Sequence, residues 1–170
     1  MTLAITGYLR GMLTIALAVG MLLSANSRSV THDFTELAKI VAEHHAEIEE
    51  HGKEYPYIIT TNRELEHYNC GTMTRRTGNV DILTEDVLMI HPQDAGDNFI
   101  ENGQMVCVES PRGKVDIKAF ITDEVRPGVL SSTFHFPEIM LNNITSDVHD
   151  SEAMCPEYKV VVCRIRKSKG

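Results

Sequence analysis

Side chains that bind anions are concentrated in residues 62–79, NRELEHYNCGTMTRRTGN. Guanidinium forks, an imidazole and hydroxyl groups at the carboxyl end of a strand together suit a phosphate group or a purine-like heterocycle. A solvated surface loop is the alternative interpretation, but a loop of 18 residues without obvious secondary structure is longer than most structural connections. The sequence therefore favours a binding role for this segment. The side chains concerned are Arg63, Glu64, His67, Thr72, Thr74, Arg75 and Arg76.

Residues 134–159, FHFPEIMLNNITSDVHDSEAMCPEYK, form a second stretch that resembles neither a strand nor a regular core element. One interpretation is a structural lid over the core, built on Phe134, Phe136, Ile139, Met140 and Leu141. Three of its polar residues are hard to place in a core, because each would need hydrogen-bond partners when buried. These are Asn142, Tyr158 and Lys159. We expect Arg63, His67, Arg75, Arg76 and Lys159 to form one local basic mouth.

Short runs of β-type residues bounded by turn residues predict the elements that position these segments. The runs are Tyr57–Thr60, Val87–Ile90, Gln104–Glu109, Val115–Thr122 and Lys159–Ile165, so five strands are a minimum. Pro92 is typical of the first turn of a short helix, and Pro111-Arg112-Gly113 joins two strands, which makes 104–122 a hairpin. Many short strands with one or two short helices favour a closed barrel, because closure removes exposed sheet edges.

The first 53 residues differ from the rest of the chain. Residues 12–25 are an uncharged apolar run after Arg10, typical of a signal peptide and short for a bilayer span of about 20 residues. For residues 1–30 three interpretations stay open: a signal-like segment, a docking helix with possible but not favoured membrane contact, and an artefact of the assigned start. Residues 31–53 predict an amphipathic helix capped by Asp33, residues 54–166 the barrel, and residues 167–170 a basic tail.

Composition narrows the classes of function. At 170 residues, 42% hydrophobic and 24% charged, the chain is expected to form one compact domain. Its 16 Lys and Arg against 24 Asp and Glu give a net charge of −8, which argues against nucleic acid as a partner. The four cysteines lack the short spacing of zinc or iron–sulfur sites, so we expect reduced, buried thiols. Metal binding by the histidines and glutamates of residues 44–51 is disfavoured against a solvated helix face.

Seven segments in one order carry a specific resemblance. They are YPYIITTNRELEHYNCGTMTRR, IHPQDA, ENGQMVCVESPRGKV, TDEVRPGVL, FHF, NNIT and CPEYK, spanning residues 54–166. In this order they resemble the C-terminal dinucleotide-binding domain of molybdopterin oxidoreductases, most closely that of formate dehydrogenase large subunits. The resemblance implies a mainly β fold, a six-stranded double-psi β-barrel of the aspartate decarboxylase-like class.

The resemblance also implies a cofactor, bis(molybdopterin guanine dinucleotide), which would hold molybdenum or tungsten. By motif match the cofactor contacts would come from the loop after the first strand and from the later Asn and Tyr-Lys positions. Arg63 and Lys159 would donate to phosphate or pterin oxygens, and Glu64 would accept from ring N–H groups. The implied contact residues are Thr61, Arg63, Glu64, Leu65, His67, Met73, Thr74, Asn142, Tyr158 and Lys159.

Two departures from the family pattern bear on function. Where many relatives have Thr-Gly-Arg, this chain has Thr61-Asn62-Arg63, which restricts any positive φ at that position. No segment matches the family's iron–sulfur cysteines or metal ligand, so we expect no catalysis without a catalytic subunit that carries those domains.

The alternative is a non-catalytic interaction subunit whose degenerate barrel docks an oxidoreductase. An aspartate decarboxylase activity is disfavoured because no Gly-Ser pair is present. The resemblance implies a cytoplasmic protein, with membrane association or export as alternatives.

Overall fold

Six β-strands close into a barrel in the computed structural model, which describes residues 46–149, 154 and 158–168. Around the barrel the strand order is β1-β5-β2-β4-β3-β6, with β1–β5 and β2–β4 parallel and the remaining neighbours antiparallel. The predicted six-stranded barrel is confirmed. The strands are β1 Tyr57–Thr61, β2 Val87–Ile90, β3 Met105–Ser110, β4 Gly113–Ile121, β5 Val129–Ser132 and β6 Val161–Lys167.

Alternation along the strands places one face of each in the core. On β4, Val115, Ile117 and Ala119 are buried, whereas Lys114 and Asp116 are exposed and Lys118 is half-buried. The register pairs Ile117 with Val106 and Val115 with Val108 on β3, and both β3 valines are fully buried. Side chains of period two therefore fill the barrel interior, as expected for a strand with one buried face.

Short helical segments connect the strands. Helix α1, Pro92–Asp97, has proline in its first turn, and the Nδ1 atom of its N-cap residue His91 accepts a hydrogen bond from the Gln93 amide at 3.1 Å. Helix α1 ends in a Schellman arrangement, with Phe99 at a φ of 55°. The 3₁₀ helices are Thr74–Arg76, Gly78–Asp81 and Leu141–Asn143.

The first predicted helix falls only partly within the described residues. Residues 46–51 are helical, and the Gly52 amide closes the last turn on the Ile48 carbonyl at 2.9 Å. The rest of the predicted helix and the apolar run 12–25 lie outside the described residues. In the part of the chain that is described, no helix is both long and apolar enough to cross a bilayer.

Three sequence-based expectations need correction. Strand β5 lies outside the predicted runs. Its residues Leu130, Ser131 and Ser132 are all buried, although their sequence shows no alternation of apolar and polar residues. In the lid segment Phe136 and Leu141 are buried as expected, but Met140 is 56% exposed. The cysteines are free thiols where described; Cys107 and Cys163 are buried, which raises the pKa of both, whereas Cys70 is exposed and Cys155 lies outside the described residues.

One end of the barrel gathers the segments that the sequence singled out. Strands β1 and β5 run parallel and finish there, at Thr61 and Ser132. Strand β6 is antiparallel to β1, with Val161 opposite Ile59, so residues 158–160 enter the barrel at the same end. We call this end the mouth of the barrel.

Candidate functional site

The mouth brings the loop after β1 against the segment that leads into β6. The Lys159 ammonium donates to the Thr61 carbonyl oxygen and lies 3.4 Å from the Thr61 hydroxyl oxygen. The Thr61 amide in turn donates to the Tyr158 carbonyl oxygen at 3.4 Å. Residues 97 and 98 positions apart in sequence are therefore held together by three hydrogen bonds.

Arg63 belongs to the same group of side chains. Its guanidinium carbon lies 5.8 Å from the centre of the Phe134 ring, and that ring is 6.3 Å from the ring of Tyr158. Arg63 is exposed and forms no ion pair with any described residue. Arg63, two residues after Thr61, and Lys159, which contacts Thr61, therefore lie at the same end of the barrel. We call Thr61, Arg63, Phe134, Tyr158 and Lys159 the cationic mouth.

Asn62 lies inside this group and carries an unsatisfied acceptor. Its backbone amide donates to the Ser132 carbonyl oxygen at 2.9 Å and so continues the pairing of β1 with β5. Its side-chain oxygen Oδ1 is buried and has no hydrogen-bond partner among the described residues. Asn62 does not take a positive φ, so the expected restriction at the Thr-Asn-Arg step does not arise.

His135 fixes the backbone of the loop that carries Arg63. Its Nδ1 donates to the Asn69 carbonyl oxygen at 2.5 Å, and its Nε2 accepts from the Glu64 amide at 3.1 Å. A carbonyl can only accept and an amide N–H can only donate, so both partners select the neutral Nδ1–H tautomer. The His135 side chain is fully buried. The exposed side chains of Glu64 and Leu65 are therefore displayed from a fixed backbone.

A buried carboxylate holds His135 in turn. Asp86, at 1% exposure, accepts from the Thr133 hydroxyl, from the His135 amide at 3.2 Å and from the Phe136 amide at 2.9 Å. Three donors to one carboxylate compensate the cost of burying its charge. Asp86 therefore fixes the Phe-His-Phe segment against the barrel.

His67 and Thr74, two of the predicted contact residues, are bonded to each other. The His67 Nδ1 atom lies 2.9 Å from the Thr74 hydroxyl oxygen, and its Nε2 donates to the Leu83 carbonyl oxygen at 2.9 Å. His67 is 4% exposed and packs edge-on against Phe136, with ring centres 5.2 Å apart. Both of its ring nitrogens are thus occupied within the loop. Met73, beside Thr74, is 70% exposed.

Arg75 is compensated by a carboxylate rather than available for an external anion. It donates to Glu138 at 2.5 Å and lies 4.7 Å from the centre of the Phe136 ring. The hydrogen bond from Arg75 lowers the pKa of Glu138 below its usual range. Gly71 allows this packing, because a Cβ there would lie 2.7 Å from both the Arg75 side chain and the His135 carbonyl oxygen. Within the predicted basic mouth, Arg63 and Lys159 are therefore the cations that the structure brings together.

Asn142 lies at the same end of the barrel, in the 3₁₀ helix 141–143. This helix packs on the start of β4, where a Cβ on Gly113 would lie 2.5 Å from the Asn143 carbonyl oxygen. Since β4 is three strands from β1 in the barrel order, Asn142 stands across the mouth from Arg63. Its side chain is exposed.

Sequence reasoning missed four residues that shape this site. The sequence pattern predicts Phe134 only as part of a lid over the core, and it predicts no role for His135. Asn62 was treated only as a backbone departure. Asp86 has no local signal, because its partners lie about 50 positions away. The described residues contain no group of His, Cys, Asp and Glu side chains that could hold a metal ion.

Comparisons with known proteins find a matching family, similar sequences and a similar fold. The sequence pattern of the family described as molydopterin dinucleotide binding domain matches residues 57–162. The F420-dependent formate dehydrogenase subunit alpha of Methanocaldococcus jannaschii is 42% identical over 116 residues, which cover 68% of this chain and 17% of that protein. The periplasmic nitrate reductase of Desulfovibrio desulfuricans is 31% identical over 121 residues, 71% of this chain and 16% of that protein.

The chain thus spans about a sixth of the length of the curated relatives that it matches. Among solved structures, acetylene hydratase from Pelobacter acetylenicus superimposes with a TM-score of 0.61 at 20% identity. That alignment covers 71% of this chain and 19% of the hydratase. At this identity the likeness supports the barrel fold alone.

Proposed function

The chain belongs to the molydopterin dinucleotide binding domain family, and from this premise we propose that its barrel mouth binds molybdopterin guanine dinucleotide. In this proposal the chain is the C-terminal, cofactor-cradling part of a formate dehydrogenase-like oxidoreductase. The observation that carries it is the convergence of Arg63, Tyr158 and Lys159 at the end of β1.

The residues at the mouth fit the chemistry of such a cofactor. Two cationic side chains, Arg63 and Lys159, lie at the same end of the barrel, and donors of this kind suit the oxygens of a pyrophosphate. The Arg63 fork can hold two oxygens at once. The buried acceptor of Asn62 suits a ring N–H, which a phosphate lacks.

When bound, the cofactor would supply the redox metal, molybdenum or tungsten. The chain's own residues bind and orient it: Arg63 and Lys159 hold oxygens, Tyr158 and Glu64 hydrogen-bond to ring edges, and Asn142 approaches from across the mouth. Thr61, Leu65 and Met73 complete the lining, while His67 and Thr74 keep the loop in shape. None of these groups is a metal ligand or a nucleophile in this scheme, so the chain does not catalyse alone.

The partner in this proposal is a catalytic subunit that carries the iron–sulfur and metal-ligand domains. We assign the chain to the cytoplasm, where cofactor loading would occur, with membrane association and export as alternatives. A non-catalytic interaction subunit is the second candidate function. It is favoured by the exposed apolar side chains Leu65, Tyr68 and Met73 on the loop. Cofactor content separates the two candidates.

The test is co-expression of the full chain with a formate dehydrogenase large subunit that lacks its C-terminal barrel. The purified complex should contain molybdenum or tungsten and release guanine nucleotide, whereas the chain alone should show no dye-linked formate oxidation. Arg63→Ala should reduce the cofactor content of the complex. Arg126→Ala is the matched control, because Arg126 is exposed and precedes the start of β5 at the other end of the barrel. Formate oxidation by the chain alone, or a cofactor-free complex with an intact barrel, would refute the proposal.

A further inference from the structure

We propose that Asn62 determines ligand specificity at the mouth, by accepting a hydrogen bond from the N–H-bearing edge of a 2-amino-4-oxo ring. Pterin and guanine share this edge, on which a ring N–H and an amino group are adjacent donors. The inference rests on the proposed function and deepens it. It assigns the ring edge to Asn62 and the anionic oxygens to Arg63 and Lys159.

The first argument is the unsatisfied oxygen. Asn62 Oδ1 is the one buried side-chain oxygen or nitrogen in the described residues that has no hydrogen-bond partner. Buried polar groups are almost always paired, and leaving one unpaired is costly, so each exception calls for an explanation. A ligand that donates to Oδ1 provides one.

The second argument is position. The Asn62 backbone is fixed on one side by the Ser132 carbonyl and follows Thr61, whose own carbonyl accepts from Lys159. Arg63 comes next and lies over the Phe134 ring. The Asn62 backbone therefore continues the barrel strand between Thr61, which Lys159 contacts, and Arg63.

The third argument is hydrogen-bond chemistry. The pyrophosphate bridge of a dinucleotide carries no proton at neutral pH, so its oxygens only accept and cannot satisfy another acceptor. Arg63 and Lys159 only donate, so they are suited to those oxygens and cannot read an N–H edge. A site with both kinds of group distinguishes a nucleotide-like ligand from inorganic phosphate. An ordered water donating to Oδ1 is the competing explanation, and it predicts no role for Asn62 in ligand choice.

The experiment titrates three probes into the full chain, with binding followed by NMR line shifts: GDP, 6-carboxypterin and inorganic pyrophosphate. Asn62→Leu removes the acceptor at nearly constant volume. It should weaken GDP or 6-carboxypterin about three- to tenfold, as expected for one neutral hydrogen bond, and leave pyrophosphate unchanged. The probe that is weakened identifies which ring lies on Asn62. Asn62→Asp keeps an acceptor but adds a negative charge, so it should weaken GDP and pyrophosphate, which carry phosphate charge, more than 6-carboxypterin.

A stability measurement accompanies the titration. Because Asn62→Leu removes an unpaired buried acceptor, the free energy of unfolding should stay constant or rise while ring binding falls. If the leucine variant does not fold, Asn62→Ala takes its place, with the same expected loss of ring binding. Equal weakening of all three probes, or no change in any of them, would overturn the role of Asn62 and leave the proposed function intact. Failure of the unmodified chain to bind any probe would refute both.

Discussion

Replacement of His135 tests whether the loop after β1 is held by specific hydrogen bonds or merely by packing. The imidazole makes one bond from each ring nitrogen, to the Asn69 carbonyl and from the Glu64 amide. Asparagine places an amide N–H near the position of Nδ1, and glutamine places an oxygen near that of Nε2. His135→Asn therefore retains the bond to Asn69 alone, and His135→Gln retains the bond from Glu64 alone.

The magnitudes follow from the number of bonds lost. Each neutral hydrogen bond contributes about 0.5–1.5 kcal/mol, so either amide variant should lower the free energy of unfolding by about 1 kcal/mol. His135→Ala loses both bonds and the ring packing against His67 and Phe134, with ring centres 5.7 and 5.8 Å away. We expect it to cost about 3 kcal/mol or more.

Hydrogen exchange at the Glu64 amide distinguishes the two amide variants. Loss of its acceptor in His135→Asn should speed exchange roughly fivefold, the equivalent of about 1 kcal/mol, whereas His135→Gln should leave it protected. Urea unfolding of the same proteins gives the global stability as the control. If both variants exchange at the unmodified rate, or both lose protection equally, His135 acts by filling volume and the hydrogen-bond reasoning is wrong.

Three further predictions concern single positions. Arg63→Lys keeps the charge but loses the bidentate fork, so cofactor content of the assembled complex, measured as molybdenum and guanine nucleotide, should fall roughly tenfold while the thermal midpoint stays within error. Phe99→Gly should raise the free energy of unfolding by about 0.5–1 kcal/mol in urea titrations, because Phe99 holds a φ of 55° with a side chain 79% exposed. Burial raises the pKa of Asp94, although the Gly128 amide donates to it at 2.7 Å. The stability advantage of the unmodified chain over Asp94→Asn should therefore be largest below pH 4 and decline as the pH rises through the folded pKa of Asp94.

The barrel could be predicted where local pattern and burial agree. Strand β4 alternates between core and solvent over nine residues, and its hairpin with β3 is marked by Pro111-Arg112-Gly113. Strand β5 could not be found in this way. Its two serines, Ser131 and Ser132, pair with β1, and Ser131 also pairs with Met89 on β2. Their burial follows from this position in the sheet rather than from their side-chain type. Pairing across the chain therefore decides the burial of β5, and a local pattern carries no signal of it.

The candidate site was predictable in its charged members and not in its supports. Arg63 and Lys159 are conspicuous because neither residue type belongs in a core. His67 has the same polar character, yet both of its nitrogens are used inside the loop. The sequence gives no sign of why Asp86 and Asn62 matter. Asp86 accepts hydrogen bonds from three donors far away in the sequence. Asn62 carries an unpaired buried oxygen. Sequence reveals which side chains are polar, and only the packed structure reveals which of them are already satisfied.

The pairing of several arginines with carboxylates also explains how an acidic chain can present an anion site. Several of its arginines already have carboxylate partners, so their charge is neutralised locally and extends little into solvent. Arg63 differs from these arginines, because its guanidinium lies near the ring of Phe134 and not beside a described carboxylate. A cation over an aromatic face keeps its five N–H donors available at the edge, which is the arrangement that a phosphate or carboxylate oxygen can use. The field around Arg63 thus depends on its local surroundings, and the net charge of −8 does not determine it. The compensated pairs are Arg75 with Glu138, Arg112 with Glu47, and Arg164 with Glu54 and Glu109.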